Sequence, residues 1–341
     1  MVLQGVGCGD YVGRKDENME QQGTPVASWP SSGTAIADAP LSSIRKKTLW
    51  PVVKLGEPLT YRPWEVVPVR VVVVKGTDLF NKSGAGMRSI YYDIQKQGGV
   101  HKYLGFDGEV VLSSIMPDAT VKGVTKESYA EAINKLGVDG YFTPDGETYL
   151  GERHLGAYEI NRMMFETEFL LKACRNVKPV GLVKGANLEQ MLMHARALKA
   201  LGVGSMVFHA GDFSRGAEKD ETKTGVKFAG AVREIADSLY IYGVGSRKSL
   251  KLYESADGYV TQNHYVNAFY RQKLVDGRWR YTGKKAIRED IMLNLKAINA
   301  EVEILDRSLG MIRKIPKLSK WFSDGASVSS VSSSLMNNLN Q

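Results

Sequence analysis

From about residue 66 to residue 310 the sequence alternates short β-branched or apolar runs with longer amphipathic segments, and this alternation limits the fold more than any other feature. Strands are expected at Val69 to Lys75, Glu109 to Ser114, Gly140 to Thr143, Val180 to Val183, Ser205 to His209, Leu239 to Tyr242 and Gly258 to Thr261. Helices are expected at Met87 to Lys96, Lys126 to Leu136, Tyr158 to Cys174, Leu188 to Leu201, Val226 to Ala236, Lys248 to Ser255 and Arg288 to Leu305. Strands separated by a helical crossover pair in parallel, because the crossover returns the chain to the edge where the previous strand began. Leu136-Gly137-Val138 and Leu201-Gly202-Val203 each put a glycine where a helix needs a left-handed residue to stop before the next strand. No Gly-x-Gly-x-x-Gly turn follows the first strand, so the pattern favours a TIM-type (β/α)8 barrel, with an open doubly wound sheet as the alternative.

The flanks read differently. Gly23-Thr24-Pro25 and Trp29-Pro30-Ser31-Ser32-Gly33 punctuate a stretch without apolar period, so residues 1–65 are expected to be an irregular extension packed on the barrel. Residues 66–310 are assigned to the barrel and 311–341, rich in Ser and Asn, to a mobile tail.

Composition excludes several classes of protein. Cys8 and Cys174 are the only cysteines, too few for a disulfide framework or a four-cysteine zinc site, and no metal or other cofactor is expected. There is no apolar run of about 18 residues for a membrane span, and Met1-Val2-Leu3-Gln4-Gly5 lacks the regions of an export signal. A cytoplasmic setting is therefore expected, a host's cytoplasm if the chain is viral. The net charge of +8 favours a polyanionic partner without identifying one.

In a barrel of this type the working residues stand at the carboxyl ends of the strands, where the following loops converge. That rule selects Ser113 and Ser114, Asp145 with Glu147, Lys184, His209 with Gly211 and Asp212, Gly243 to Ser246, and Asn263 with His264. Each has a plainer alternative. Pro144-Asp145-Gly146 is also ordinary turn chemistry, Asp212 can pair with Arg215, and His209 can be a buried, hydrogen-bonded histidine. Gly211 and Gly243 can be simple strand-to-helix turns, and Gly243-Val244-Gly245-Ser246 can equally hold the phosphate of a small metabolite. Arg247, Lys248, Lys251, Arg271, Lys273, Arg278, Arg280, Lys284 and Lys285 make the last third basic, with Tyr270, Trp279 and Tyr281 available for stacking.

One stretch carries a resemblance. Ile94-Gln95-Lys96-Gln97-Gly98-Gly99-Val100-His101-Lys102-Tyr103-Leu104-Gly105-Phe106-Asp107-Gly108, followed by a strand, is similar to the segment before the catalytic aspartate loop of the tRNA-guanine transglycosylase superfamily. Gly140 to Thr148, Gly181-Leu182-Val183-Lys184-Gly185, Phe208-His209-Ala210-Gly211-Asp212-Phe213 and Tyr242-Gly243-Val244-Gly245-Ser246 resemble further motifs of those enzymes, covering about residues 70 to 275. The combination looks closest to the divergent branch acting on DNA, the DNA 7-deazaguanine transglycosylases.

The resemblance implies exchange of guanine in DNA, or in tRNA, for a 7-deazaguanine co-substrate such as preQ0, and an oligomer is implied only by analogy. It assigns purine reading to Asp145, and the strand-end rule adds Asp212 as a second carboxylate at the mouth, with Ser113, Ser114, Glu147, Lys184, His209, Gly211, Gly243, Asn263 and His264 as candidate substrate contacts. Lys184 stands where the family has glutamine, suited to a purine carbonyl or a phosphate. The sequence departs from the pattern at both catalytic aspartates of the family, which fall at Ser113 and near Val260, and at the zinc motif, since no cysteine follows Cys174. Asp118 lies a few residues beyond Ser113, and Asp257 opens the last strand at its far end. These departures raise an alternative, a catalytically impaired nucleic-acid-binding subunit that works with an active partner.

Overall fold

The computed structural model of the chain describes residues 46–56, 62–213, 219–283 and 287–313. Eight strands close into one barrel: β1 (Thr48–Val53), β2 (Val71–Lys75), β3 (Glu109–Ser113), β4 (Gly140–Phe142), β5 (Lys178–Val183), β6 (Ser205–His209), β7 (Ser238–Tyr242) and β8 (Gly258–Thr261). Each strand lies parallel to its neighbour, and β1 closes the ring against β8 with Trp50 beside Val260. The barrel is the TIM-type architecture expected from the alternation, and the seven expected strands match β2 to β8 within two residues at either end.

The eighth strand overturns the expected boundary at residue 66. β1 lies inside the stretch read as irregular, hidden because a proline in a run argues against a central strand. Here Pro51 falls where pairing passes from β8, which takes Thr48 to Pro51, to β2, which takes Val52 and Val53. A missing N–H at that handover breaks neither ladder. The rest of the expected extension, residues 1–45 and 57–61, lies outside the described residues, as does the tail beyond Arg313.

Side chains alternate across each strand, which sorts the core into two layers. Trp50, Val52, Val73, Val111, Phe142, Leu182, Val207 and Val260 fill the barrel interior. Their neighbours Val53, Val72, Val74, Val110 and Leu112, with Met206, Phe208 and Ile241, pack outward against the helices. The expected glycine stops hold: Gly137 closes the helix Lys126–Leu136 at φ 67°, and Gly202 follows the helix Leu188–Ala200 at φ 84°.

Two aspartates tie the amino-terminal rim. Asp139, just before β4, accepts from the Val110 backbone N–H at 2.7 Å, and Asp257, just before β8, accepts from that of Leu239 at 2.8 Å. Asp257 therefore sits at the far end from the mouth, as its place in the sequence implied.

Beyond β8 the helix Asn263–Phe269 leads to a hairpin of β9 (Gln272–Val275) and β10 (Arg278–Tyr281). Asp276 at φ 49° and Gly277 at φ 74° make its two-residue turn, whose positive φ at both central positions suits an Asp-Gly pair. Asn294, on the helix Ile287–Arg313, accepts from Leu274 N–H and donates to the carbonyls of Gln272 and His264, which fixes the hairpin to the barrel. Among the described residues no helix is long and apolar enough to cross a membrane.

Candidate functional site

The pleat that fills the interior also decides what caps it. Two residues beyond each of the interior side chains Val52, Val73, Val111, Leu182, Val207 and Val260, on the same face, come Lys54, Lys75, Ser113, Lys184, His209 and Gln262. The uppermost layer of an otherwise apolar barrel is thus polar and carries three lysines.

On the β4 to β6 arc these groups form one ionic cluster. Lys184 Nζ lies 2.8 Å from Asp212 Oδ2 and 3.2 Å from Asp145 Oδ1, and His209 Nδ1 lies 2.9 Å from Asp212 Oδ1. Asp145 is 8% exposed, Lys184 10% and Asp212 32% by side chain, so the cluster is largely withdrawn from water but reached from one side. Burial opposes charge on Lys184, yet Asp145 and Asp212 together hold its pKa well above the ordinary lysine value. Burial likewise opposes charge on Asp212, and His209 and Lys184 outweigh it, holding the carboxylate ionised far below its ordinary range. Lys184 is thus a fixed cation, unsuited to forming a Schiff base, which needs a neutral amine.

The surroundings hold this geometry. Asp145 Oδ1 accepts from the Gly146 N–H at 2.8 Å, and its carbonyl accepts from Arg162 Nη2 at 2.7 Å. Arg162, on the helix Arg153–Ala173, is itself bound by Glu159 and Glu166. His194, from the helix Leu188–Ala200, places Nδ1 at 3.2 Å from the Lys184 backbone nitrogen and 3.1 Å from its carbonyl oxygen. Burial pushes the His194 pKa down to about 4, so the imidazole is neutral near pH 7 and supports Lys184 without adding charge. Sequence reasoning passed over His194 because it lies on a helix, not at a strand end.

A cleft of about 350 Å³ opens over Lys184, His209 and Asp212 and is lined also by Asp118, Glu147 and Tyr149, while Asp145 lines a separate small pocket with Ser114 and Arg162. Four of the residues expected at the mouth, Asp145, Lys184, His209 and Asp212, are therefore brought together, and Glu147 borders them while pairing with Lys122 at 2.8 Å. The pairing expected of Asp212 with Arg215 falls outside the described residues. Asp118 reaches the same cleft and accepts from the Tyr149 hydroxyl at 2.5 Å.

The remaining expected residues are engaged within the fold. Ser113 is fully buried and its Oγ accepts from Ile115 N–H, while Ser114 donates to the Thr143 carbonyl at 2.6 Å. Asn263 donates to the Gly243 carbonyl and so braces the turn after β7. Gly243, at φ 94°, passes close to Gly211, where a side chain would meet the Gly211 nitrogen at 3.4 Å. His264 is fully buried beneath the mouth, and its burial depresses its pKa to about 3. Val260, near which the sequence resemblance would put a nucleophile, is a wholly buried interior residue.

The opposite arc was not foreseen. Lys75 Nζ donates to Gln262 Oε1 at 3.1 Å, and that oxygen also faces the hydroxyls of Tyr265 at 3.1 Å and Tyr242 at 3.5 Å. Burial lowers the Lys75 pKa, Asp78 opposes this and Lys54 adds to it. The signal was present, because Val71 to Lys75 puts a lysine on the interior face of its strand, but no motif marked it.

A second surface lies beside the hairpin. A groove of about 830 Å³ is lined by Arg247, Lys248, Lys251, Arg278, Arg280 and Trp279 among others. Arg247 is bound to Glu301 through two hydrogen bonds of 2.7 and 2.9 Å, and the other four cations enter none of the ion pairs found among the described residues. No group of three or more acidic, histidine or cysteine side chains suited to a metal ion occurs among the described residues. No family model matches the chain, and no curated protein matches it.

Proposed function

We propose that the protein exchanges a guanine base in DNA for a 7-deazaguanine, with Asp212 as nucleophile and Asp145 as the carboxylate that reads the purine. The observation that carries this reading is the pair of rim carboxylates on one ammonium. Oxygens at 2.8 and 3.2 Å from Lys184 Nζ put both carboxylates at one point of the mouth, where they can engage a single nucleotide.

In the first step an Asp212 oxygen bonds to C1′ of the nucleotide as the C1′–N9 bond breaks and its electron pair leaves with guanine. In the second, N9 of the incoming base bonds to C1′ and the Asp212 oxygen departs. The proton taken up by guanine equals the one given up by the incoming base, so no oxidant or reductant is needed, and His209 is the neighbouring group able to carry it. Asp145 accepts from the paired N–H donors of the purine edge, and Lys184 offsets the charge of both carboxylates. The basic hairpin groove supports a polyanionic substrate.

The test is incubation of the protein with DNA, and separately tRNA, carrying labelled guanine, in the presence of preQ0. Label release from DNA that disappears in Asp212→Asn, with folding intact, is the expected result. Release from tRNA alone changes the polymer, and undiminished release by the variant removes Asp212 from the mechanism.

A second reading has its own observation. Ser113, where the resemblance puts one catalytic aspartate of the family, and Val260, near which it puts the other, are buried in the fold, which favours a nucleic-acid-binding subunit that supplies the groove to an active partner. Binding of DNA without release in the same assay supports that reading.

A further inference from the structure

We propose that the groove beside the β9–β10 hairpin is a track for single-stranded nucleic acid, with Trp279 stacking on a base and Lys248, Lys251, Arg278 and Arg280 holding the phosphates. That a strand binds there stands on the groove alone. That it is the strand feeding the cleft rests on the base-exchange reading.

Charge selects the class of partner. The groove of about 830 Å³ is lined by five cations and, among the described residues, one carboxylate, Asp276. Arg247 is engaged by Glu301, whereas Lys248, Lys251, Arg278 and Arg280 are exposed and enter none of the ion pairs found among the described residues. Cations gathered around one concavity repel one another, and a polyanion lying in it offsets that repulsion while shedding its own counterions.

The aromatic rings then select a single strand over a duplex. Trp279 stands between Arg278 and Arg280 on β10, so the lining sets a ring between two cations. Its indole is half-buried, packed against the apolar layer outside the barrel, and lines the groove. Tyr270 and Tyr281 are each 68% exposed, and Arg271 donates to the Tyr281 hydroxyl at 3.4 Å, so rings and cations continue to alternate beyond the groove. A duplex keeps its base faces inside its own stack and offers such a surface mainly phosphates. Each base of a single strand has a face free to stack.

The path from groove to cleft is short. The turn after β7 begins at Gly243, where an added side chain would meet the Gly211 nitrogen at 3.4 Å and the His209 ring at 4.0 Å. It ends at Ser246, which lines the groove, and three Cα–Cα steps of about 3.8 Å put the two ends no more than about 11 Å apart. His209 lines the cleft beside Asp212, so a strand with one nucleotide at Asp212 runs on along this turn into the groove.

The test is fluorescence anisotropy with a labelled oligothymidylate, the same strand annealed to oligoadenylate, and labelled polyglutamate. Each is titrated with the full chain and with Trp279→Leu, Trp279→Phe and the double variant Arg278→Gln/Arg280→Gln, with melting temperatures showing that the variants fold. The single strand is expected to bind about tenfold tighter than the duplex, a preference lost in Trp279→Leu and largely kept in Trp279→Phe. The double variant is expected to flatten the dependence of log affinity on log salt by about 0.7 per cation removed. Duplex or polyglutamate bound as tightly as the single strand, or an unchanged preference in Trp279→Leu, overturns the track. Guanine release from DNA that is undiminished in variants that no longer bind the strand also overturns it, and leaves the base-exchange reading standing. Trp279-dependent strand binding with no guanine release from any polymer keeps the track and removes the base-exchange reading.

Discussion

The two arcs of the barrel mouth are made from the same layer of the same pleated sheet, yet they handle charge in opposite ways. On β4 to β6, Lys184 is enclosed by two carboxylates, and its cation is held in place. On β8, β1 and β2, Lys75 has a neutral amide for its hydrogen-bond partner and a second lysine beside it, and its cation is disfavoured. A lysine at a barrel mouth is therefore not one kind of residue. Its chemistry is set by whether neighbouring strands end in acids or in donors.

The largest expected effect separates the arcs by stability. Lys184→Met leaves Asp145 and Asp212 withdrawn from water without their cation, and breaking such a buried pair costs about 3–5 kcal/mol. Lys75→Met removes a cation that burial disfavours and is expected to cost far less stability. Urea unfolding of both variants checks the contrast, and equal losses in the two would erase it.

The pH dependence gives a smaller but directional difference. Asp212 is held below its ordinary value of 3.8, so its stabilisation is complete above that value and is lost as pH falls through the depressed folded value. Lys184 is raised above 10.5, so its contribution is complete below that pH and is lost only on passing the raised folded value. Lys75 has the reverse sign, because its lowered folded pKa costs stability at neutral pH and the cost fades as pH climbs toward 10.5. The difference in unfolding free energy between wild type and Lys75→Met should accordingly move in the wild type's favour as the pH climbs from neutral toward 10.5. A difference that stays flat across that range would place Lys75 in the same class as Lys184.

The smallest effect is one of reactivity. Brief reductive methylation near pH 8.5, mapped by mass spectrometry, should modify Lys75 ahead of Lys184, since only neutral amine reacts and Lys184 is both buried and firmly protonated. Gln262→Glu puts a carboxylate against Lys75 and is expected to slow its modification severalfold while leaving Lys184 as it was. Faster labelling of Lys184 would reverse the comparison.

Much of this was legible in the chain itself. The alternation of strand and helix patterns, with glycine stops at Gly137 and Gly202, was enough to specify parallel strands and to favour a closed barrel over an open sheet, because local periodicity and backbone stereochemistry act over a few residues. Asp145, Lys184, His209 and Asp212 were found by the rule that strand ends converge, which needs only the order of elements. β1 escaped because Pro51 disguises it, and only the handover between two neighbours shows why a proline fits there.

Other features depended on closure. Nothing in the spacing of Asp145, Lys184 and Asp212, which follow three different strands, says that one ammonium bridges two carboxylates. Nor does the sequence indicate that Lys54 and Lys75 become neighbours, or that Gln262 turns its oxygen to Lys75. Periodicity fixes which face of a strand a side chain takes. Register around the ring, which is settled by the packing of the whole interior at once, decides which charges meet, and with them the pKa of each lysine at the mouth.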